Sequence, residues 1–164
     1  MSLLRPIDEL NQLAGRHFRD ALRLLFEAAE PLANALETRK PYASYDDLLD
    51  QAETVLAELP EPEVIEVLNA HPRIGQRPAS QISFREQGYN REPDDPAVLD
   101  ELARLNQAYE LQFGFRFVVF VNGRSKAEIV PVLQGRLRQP REDELAAARQ
   151  AIIAIARDRL KSLA

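Results

Sequence analysis

The sequence predicts an all-α protein: a single-domain multi-helix bundle of about seven to nine helices, spanning residues 1–164, with a short apolar extended segment near 115–121. Three observations lead there. Apolar residues recur at three- and four-residue spacing through most of the chain, the period of a helix that buries one face. Only Phe113–Gly123 is rich in aromatic and β-branched residues, so an extended preference is confined to one stretch with no partner strand. The composition, 45% apolar and 29% charged with both signs mixed, supports a real core and argues against disorder.

Taken in order, Ile7, Leu10 and Leu13 mark a short helix from Pro6, ended by Gly15. Phe18, Leu22, Leu25 and Phe26 continue at helical spacing to Ala29, and Pro31 restarts the pattern for Leu32 and Leu36. Lys40-Pro41-Tyr42 ends that piece. Ser44 is placed to cap a helix whose face is Leu48, Leu49, Ala52, Val55, Leu56 and Leu59, and Pro60 and Pro62 stop it. Glu63 to Ala70 forms a compact helix that must end near His71, because Pro72 disfavours helical dihedrals in the residue before it.

His71 to Gly88 has no sustained period, and a long irregular stretch between apolar helices is expected to be a site loop. Asn90 to Pro96, with Asp94 and Asp95, reads as a polar turn, and Pro96 suits the first turn of a helix carrying Val98, Leu102, Leu105 and Tyr109. Ser125-Lys126-Ala127-Glu128 is a capping-box signature for a helix through Leu133 and Leu137, kinked at Pro131. The last helix runs from about Glu142 to Leu163.

A net charge of −5 with no Lys/Arg block argues against nucleic acid. With no cysteine, disulfides and thiolate metal sites are excluded, and two histidines far apart argue against zinc. No stretch reaches the roughly 20 apolar residues of a membrane span, and the N-terminus lacks a signal-peptide run. The default expectation is a soluble cytoplasmic protein without metal or membrane partner.

Four features could carry chemistry. His71 sits at a helix end on a mount stiffened by Pro72, and imidazole titrates near neutrality; a surface histidine capping the last carbonyls is the plainer alternative. Ser83-Phe84-Arg85-Glu86 matches a capping box, with Ser83 bonding forward and Glu86 reaching back, which leaves Gln87 unexplained. Arg159 falls on the apolar stripe of the last helix, so it needs an acidic partner or a bound anion. Arg157 lies on the flank, and Arg149 at the stripe's edge can snorkel. The aromatic run 113–120 reads as core, and His17 as a partly buried structural residue.

Together these residues resemble a known family. His71-Pro72, Ser83-x-x-Glu86-Gln87, Phe113-Gly114-Phe115-x-Phe117 and Arg159-Leu160 follow the order and spacing of 2-oxo-4-hydroxy-4-carboxy-5-ureidoimidazoline (OHCU) decarboxylases. Glu27-x-x-x-Pro31 and Arg39-Lys40-Pro41-Tyr42 resemble the family's early segment. The resemblance implies an all-helical homodimer without metal or organic cofactor. It implies a small-molecule substrate, a ureidoimidazoline that loses carbon dioxide to give (S)-allantoin at the end of urate breakdown. It also implies His71, Glu86 and Arg159 as catalytic residues. Pro72, Ser83, Gln87, Phe115, Arg116, Phe117, Val118 and Val119 would be the substrate contacts.

Two positions depart from the family pattern: Arg73 stands where Asp is usual, and Arg116 where Pro is usual. The first is expected to add positive charge beside the site, the second to free a backbone N–H. Two other readings fit the residues, a non-catalytic helical interaction module and a related enzyme acting on another ureide. Because decarboxylation leaves an electron pair on carbon, a cofactor-free enzyme must grip an anion, stabilise the ring and place a proton.

Overall fold

Ten helical segments dominate the residues that the computed structural model describes, which are 3–78, 80–90 and 95–163. No strand occurs among them. The described chain falls into two units, one running to His71 and resuming at Arg149, the other comprising Pro72–Ala148.

In the first unit, α1 (Ile7–Gln12), α2 (Gly15–Ala21), α3 (Arg23–Phe26), α4 (Glu30–Thr38), α5 (Tyr45–Glu58) and α6 (Glu61–Asn69) precede His71. The count exceeds the expected seven to nine because one apolar run, Phe18 to Ala29, divides. Leu22 separates α2 from α3, and Glu27, at φ 60, ends α3. Gly15 opens α2 in a left-handed conformation (φ 57) rather than merely ending α1.

Helix α4 packs against α2, α5 and α6. Leu32 and Leu36 on α4, Phe18 on α2, Leu48 and Leu49 on α5 and Val64 on α6 are fully buried. Each such side chain contributes about 1.5–3 kcal/mol by leaving water. Ser44 caps α5 as the sequence predicts, its hydroxyl accepting the Asp47 N–H at 3.0 Å. His17 is exposed, not partly buried: its neighbour Phe18 occupies the inward face of α2.

The second unit holds α7 (Gln81–Glu86), α8 (Pro96–Phe113) and α9 (Lys126–Arg136). The final helix, α10 (Arg141–Leu163), begins here and continues into the first unit. The expected polar turn Asn90–Pro96 includes residues 91–94, Asp94 among them, that lie outside the described residues. Asp95 caps α8 by accepting the Ala97 N–H at 3.0 Å, with Pro96 at the first position.

Gly114 ends α8 at φ 83, and residues 115–121 are non-helical, matching the expected apolar segment. Phe115, Phe117, Val118 and Val119 on it are buried. The Tyr109 ring gathers Phe113, Phe115 and Phe117 at centroid distances of 4.6, 5.9 and 5.3 Å. Arg124 closes the segment by donating to the carbonyls of Val121 (2.9 Å) and Phe120 (2.6 Å). Both bonds of the predicted capping box at Ser125 and Glu128 are present at the start of α9, which packs on α8.

Candidate active site

In the first unit the chain brings three ionisable groups together. His71 follows α6 directly and is only 3% exposed. Its Nδ1 lies 3.2 Å from the Val67 carbonyl oxygen. A carbonyl can only accept, so Nδ1 carries the proton and the basic lone pair is on Nε2. Burial pushes the imidazole pKa down to about 4, and the positive charge of Arg159 pushes the same way; Glu27 and the Val67 carbonyl oppose them. The ring is therefore neutral at physiological pH.

Arg159 points into the stripe of α10 as its spacing predicts, at 2% exposure. Of the two partners expected for a buried guanidinium, an acid or a bound anion, the structure supplies the acid: Glu27 Oε1 accepts from Arg159 Nη2 at 3.0 Å. Glu27 occupies the turn after α3 with φ 60 and ψ −162, a conformation that side-chain-bearing residues rarely adopt. Glu27 appears in the sequence only as part of a weak Glu-x-x-x-Pro resemblance. The signal that could have led to it is the demand of a buried arginine for a carboxylate. Arg157, on the flank, makes an exposed bond to Asp50 at 2.8 Å.

Pro72, Ser83, Glu86, Gln87 and residues 115–119 all belong to the second unit. Ser83 does not cap a helix. Ser80, with extended backbone, is the N-cap of α7 and accepts the Ser83 N–H at 3.1 Å, so Ser83 lies inside the first turn with its side chain buried. Glu86 is the last residue of α7, half-buried, rather than a partner for the helix start.

Gln87 is 4% exposed and spans the loop after Pro72: its Oε1 accepts the Gly75 N–H at 2.9 Å and its Nε2 donates to the Arg73 carbonyl at 3.3 Å. Arg73, expected to add charge beside the site, has that charge engaged by Glu110 through two bonds of 2.8 and 2.9 Å. Arg116 is half-buried; burial lowers its pKa, the nearby Arg73 does so too, and Glu110 counters both. Among the described residues no cluster of three or more His, Asp or Glu side chains could hold a metal ion. No helix among them is long and apolar enough to cross a membrane.

Known proteins share this architecture. A family model described as OHCU decarboxylase matches residues 11–161. The uric acid degradation bifunctional protein PucL of Bacillus subtilis is 30% identical over 161 residues, covering 96% of this chain and 32% of that protein. The 2-oxo-4-hydroxy-4-carboxy-5-ureidoimidazoline decarboxylase of Halalkalicoccus jeotgali is 27% identical, covering 96% of this chain and 90% of its own. A crystal structure of OHCU decarboxylase in the presence of (S)-allantoin superposes with a TM-score of 0.72 at 26% identity, over 88% of this chain and 96% of the other. The chain spans about a third of the length of the two bifunctional bacterial relatives it matches.

Proposed function

This chain belongs to the OHCU decarboxylase family, and we propose that it is a carboxy-lyase converting 2-oxo-4-hydroxy-4-carboxy-5-ureidoimidazoline to (S)-allantoin and carbon dioxide in urate breakdown. The observation that carries this reading is the buried group of His71, Arg159 and Glu27: a neutral imidazole beside a guanidinium, both almost out of water. Such surroundings strengthen electrostatic contacts to an anionic substrate.

In the proposed reaction the C–C bond to the carboxylate breaks and its electron pair flows into the adjoining C=N of the substrate. The nitrogen of that C=N takes up one proton, the ring carbon that bears the ureido group takes up a second, and the hydroxyl proton leaves as the carbonyl forms, so that one proton is consumed overall and neutral allantoin results. The substrate is its own electron sink, so the route needs no metal or organic cofactor. His71, with Nδ1–H directed to Val67, offers Nε2 to receive the hydroxyl proton. Glu27 favours the imidazolium so formed. The planar fork of Arg159 suits the substrate anion.

Glu86, with Ser83 and Gln87, suits the ureido and ring N–H groups, and Pro72 with Phe115, Arg116, Phe117, Val118 and Val119 would wall the ring. The reading includes a homodimer, which the family resemblance implies, working in the cytoplasm; sedimentation at the monomer mass would overturn the dimer.

The test generates the unstable substrate in situ from urate and follows optical activity. Faster substrate loss with single-handed allantoin is expected, and decay to racemate at the uncatalysed rate overturns the reading. His71→Asn is expected to keep product-like ligand binding while losing about 10²–10⁴-fold in turnover. A variant with retained rate removes His71 from the mechanism.

A further inference from the structure

Of the two positions at which this chain departs from the family pattern, Arg73 binds the Glu110 carboxylate directly and Arg116 lies within reach of its charge. Glu110, on α8, receives both Nε and Nη2 of Arg73 at 2.8 and 2.9 Å. Arg116 senses both of these charges. The ion pair also sits at the head of a braced turn. The Arg73 carbonyl accepts from Gln87 Nε2 (3.3 Å), the Ile74 carbonyl from Asn106 Nδ2 (2.8 Å), and the Gly75 N–H donates to Gln87 Oε1 (2.9 Å).

Asn106 and Gln87 are both buried, so these are bonds that the turn cannot exchange for water without moving. Gly75 is required at this point. It has φ 90, and a Cβ there would approach the Leu102 side chain to 3.1 Å. Three consecutive residues are thus held by side chains from the end of α7 and from α8.

The Gln87 amide is pinned at both ends to this backbone. It retains capacity for one further donated and one further accepted bond, whose directions depend on where Arg73 and Gly75 lie. We propose that Glu110 is a positioning residue of the decarboxylase: by gripping Arg73 it holds the 73–75 backbone against which the Gln87 amide is aimed. The proposal rests on the decarboxylase reading, in which Gln87 and the adjacent Pro72 touch substrate. The side chains of Arg73 and Glu110 are 31% and 27% exposed. The pair is part-buried and bidentate, a geometry that fixes the guanidinium and the carboxylate in one mutual orientation.

The experiment uses the full chain and the variants Glu110→Gln, Arg73→Asp and the charge-swapped double Arg73→Asp/Glu110→Arg. In Glu110→Gln, amide hydrogen exchange over Ile74–Gln76 is expected to accelerate about tenfold, and KM to rise about tenfold with kcat within about threefold. The melting temperature is expected to stay close to wild type. The double variant is expected to recover most of the lost KM, the signature of a pairwise interaction.

Unchanged exchange and KM in Glu110→Gln would overturn the proposal. So would a loss of kcat and melting temperature together that the double variant does not recover. If the wild-type chain fails to turn over the substrate, the decarboxylase reading falls; the exchange measurement then still decides whether Glu110 holds the turn.

Discussion

Glu27 presents its carboxylate to Arg159 at 3.0 Å from a backbone conformation that is close to glycine-only, φ 60 and ψ −162. A non-glycine residue in that region costs about 1–3 kcal/mol. The pairing partner is 2% exposed, and the Glu27 side chain itself 13%. Strain is retained here because the carboxylate meets a buried guanidinium, and it sits on the group that also acts on His71.

The strain and the charge can be separated. Glu27→Ala removes the carboxylate and keeps the strained backbone; Glu27→Gly removes both. Although glycine adds unfolded-state entropy, Glu27→Gly should be more stable than Glu27→Ala by about 1 kcal/mol or more. Both should lose turnover, because neither has the carboxylate. Denaturant titration of the pair checks the first expectation and steady-state kinetics the second. Equal stability would mean that the turn is not strained.

Stability should also depend on pH through His71. Its folded pKa, about 4, lies below the ordinary 6.5 of the unfolded chain. Between those values the unfolded state binds more protons, so stability rises with pH across that window and is lost as pH falls through it. Carboxylates contribute a slope of the same sign, so the useful quantity is the difference between wild type and His71→Asn. Denaturation at a series of pH values should give a shallower rise for His71→Asn between about pH 4 and 6.5. Parallel curves would place the imidazole in water-like surroundings.

What the sequence alone could convey follows how local each cause is. Caps and helical faces are set within a few residues, so Ser44, the Ser125–Glu128 box and the extent of α10 read correctly. The inward Arg159 was legible from its register against Ile152 and Ile155. Its partner was not, because Glu27 lies 132 residues away in a chain with 26 acidic residues.

Ser83 misled because two serines three residues apart, Ser80 and Ser83, both suit a helix start; backbone geometry chose the first. The partner of Arg73 was out of reach for a similar reason. Whether an added cation is free or engaged depends on the residue facing it, and Glu110 is on a helix that spacing alone could not bring there.

A last relationship concerns the second unit's interior. Glu144 is 1% exposed and accepts from Arg136 Nε at 2.7 Å and from the Tyr109 hydroxyl at 2.7 Å. Burial, reinforced by this carboxylate, holds the Tyr109 phenol far above its ordinary range, so it stays a donor at any working pH. Removing one member of a buried ion pair is more damaging than removing both, because the survivor is left desolvated. Arg136→Met should therefore cost about 3–5 kcal/mol, and Arg136→Met/Glu144→Leu clearly less, despite changing two residues. Tyr109→Phe, which deletes one bond to a charged acceptor, should cost about 1.5–3 kcal/mol. Denaturant unfolding of the three variants measures this directly. If the double variant is the least stable of them, the network is net stabilising through the charges themselves.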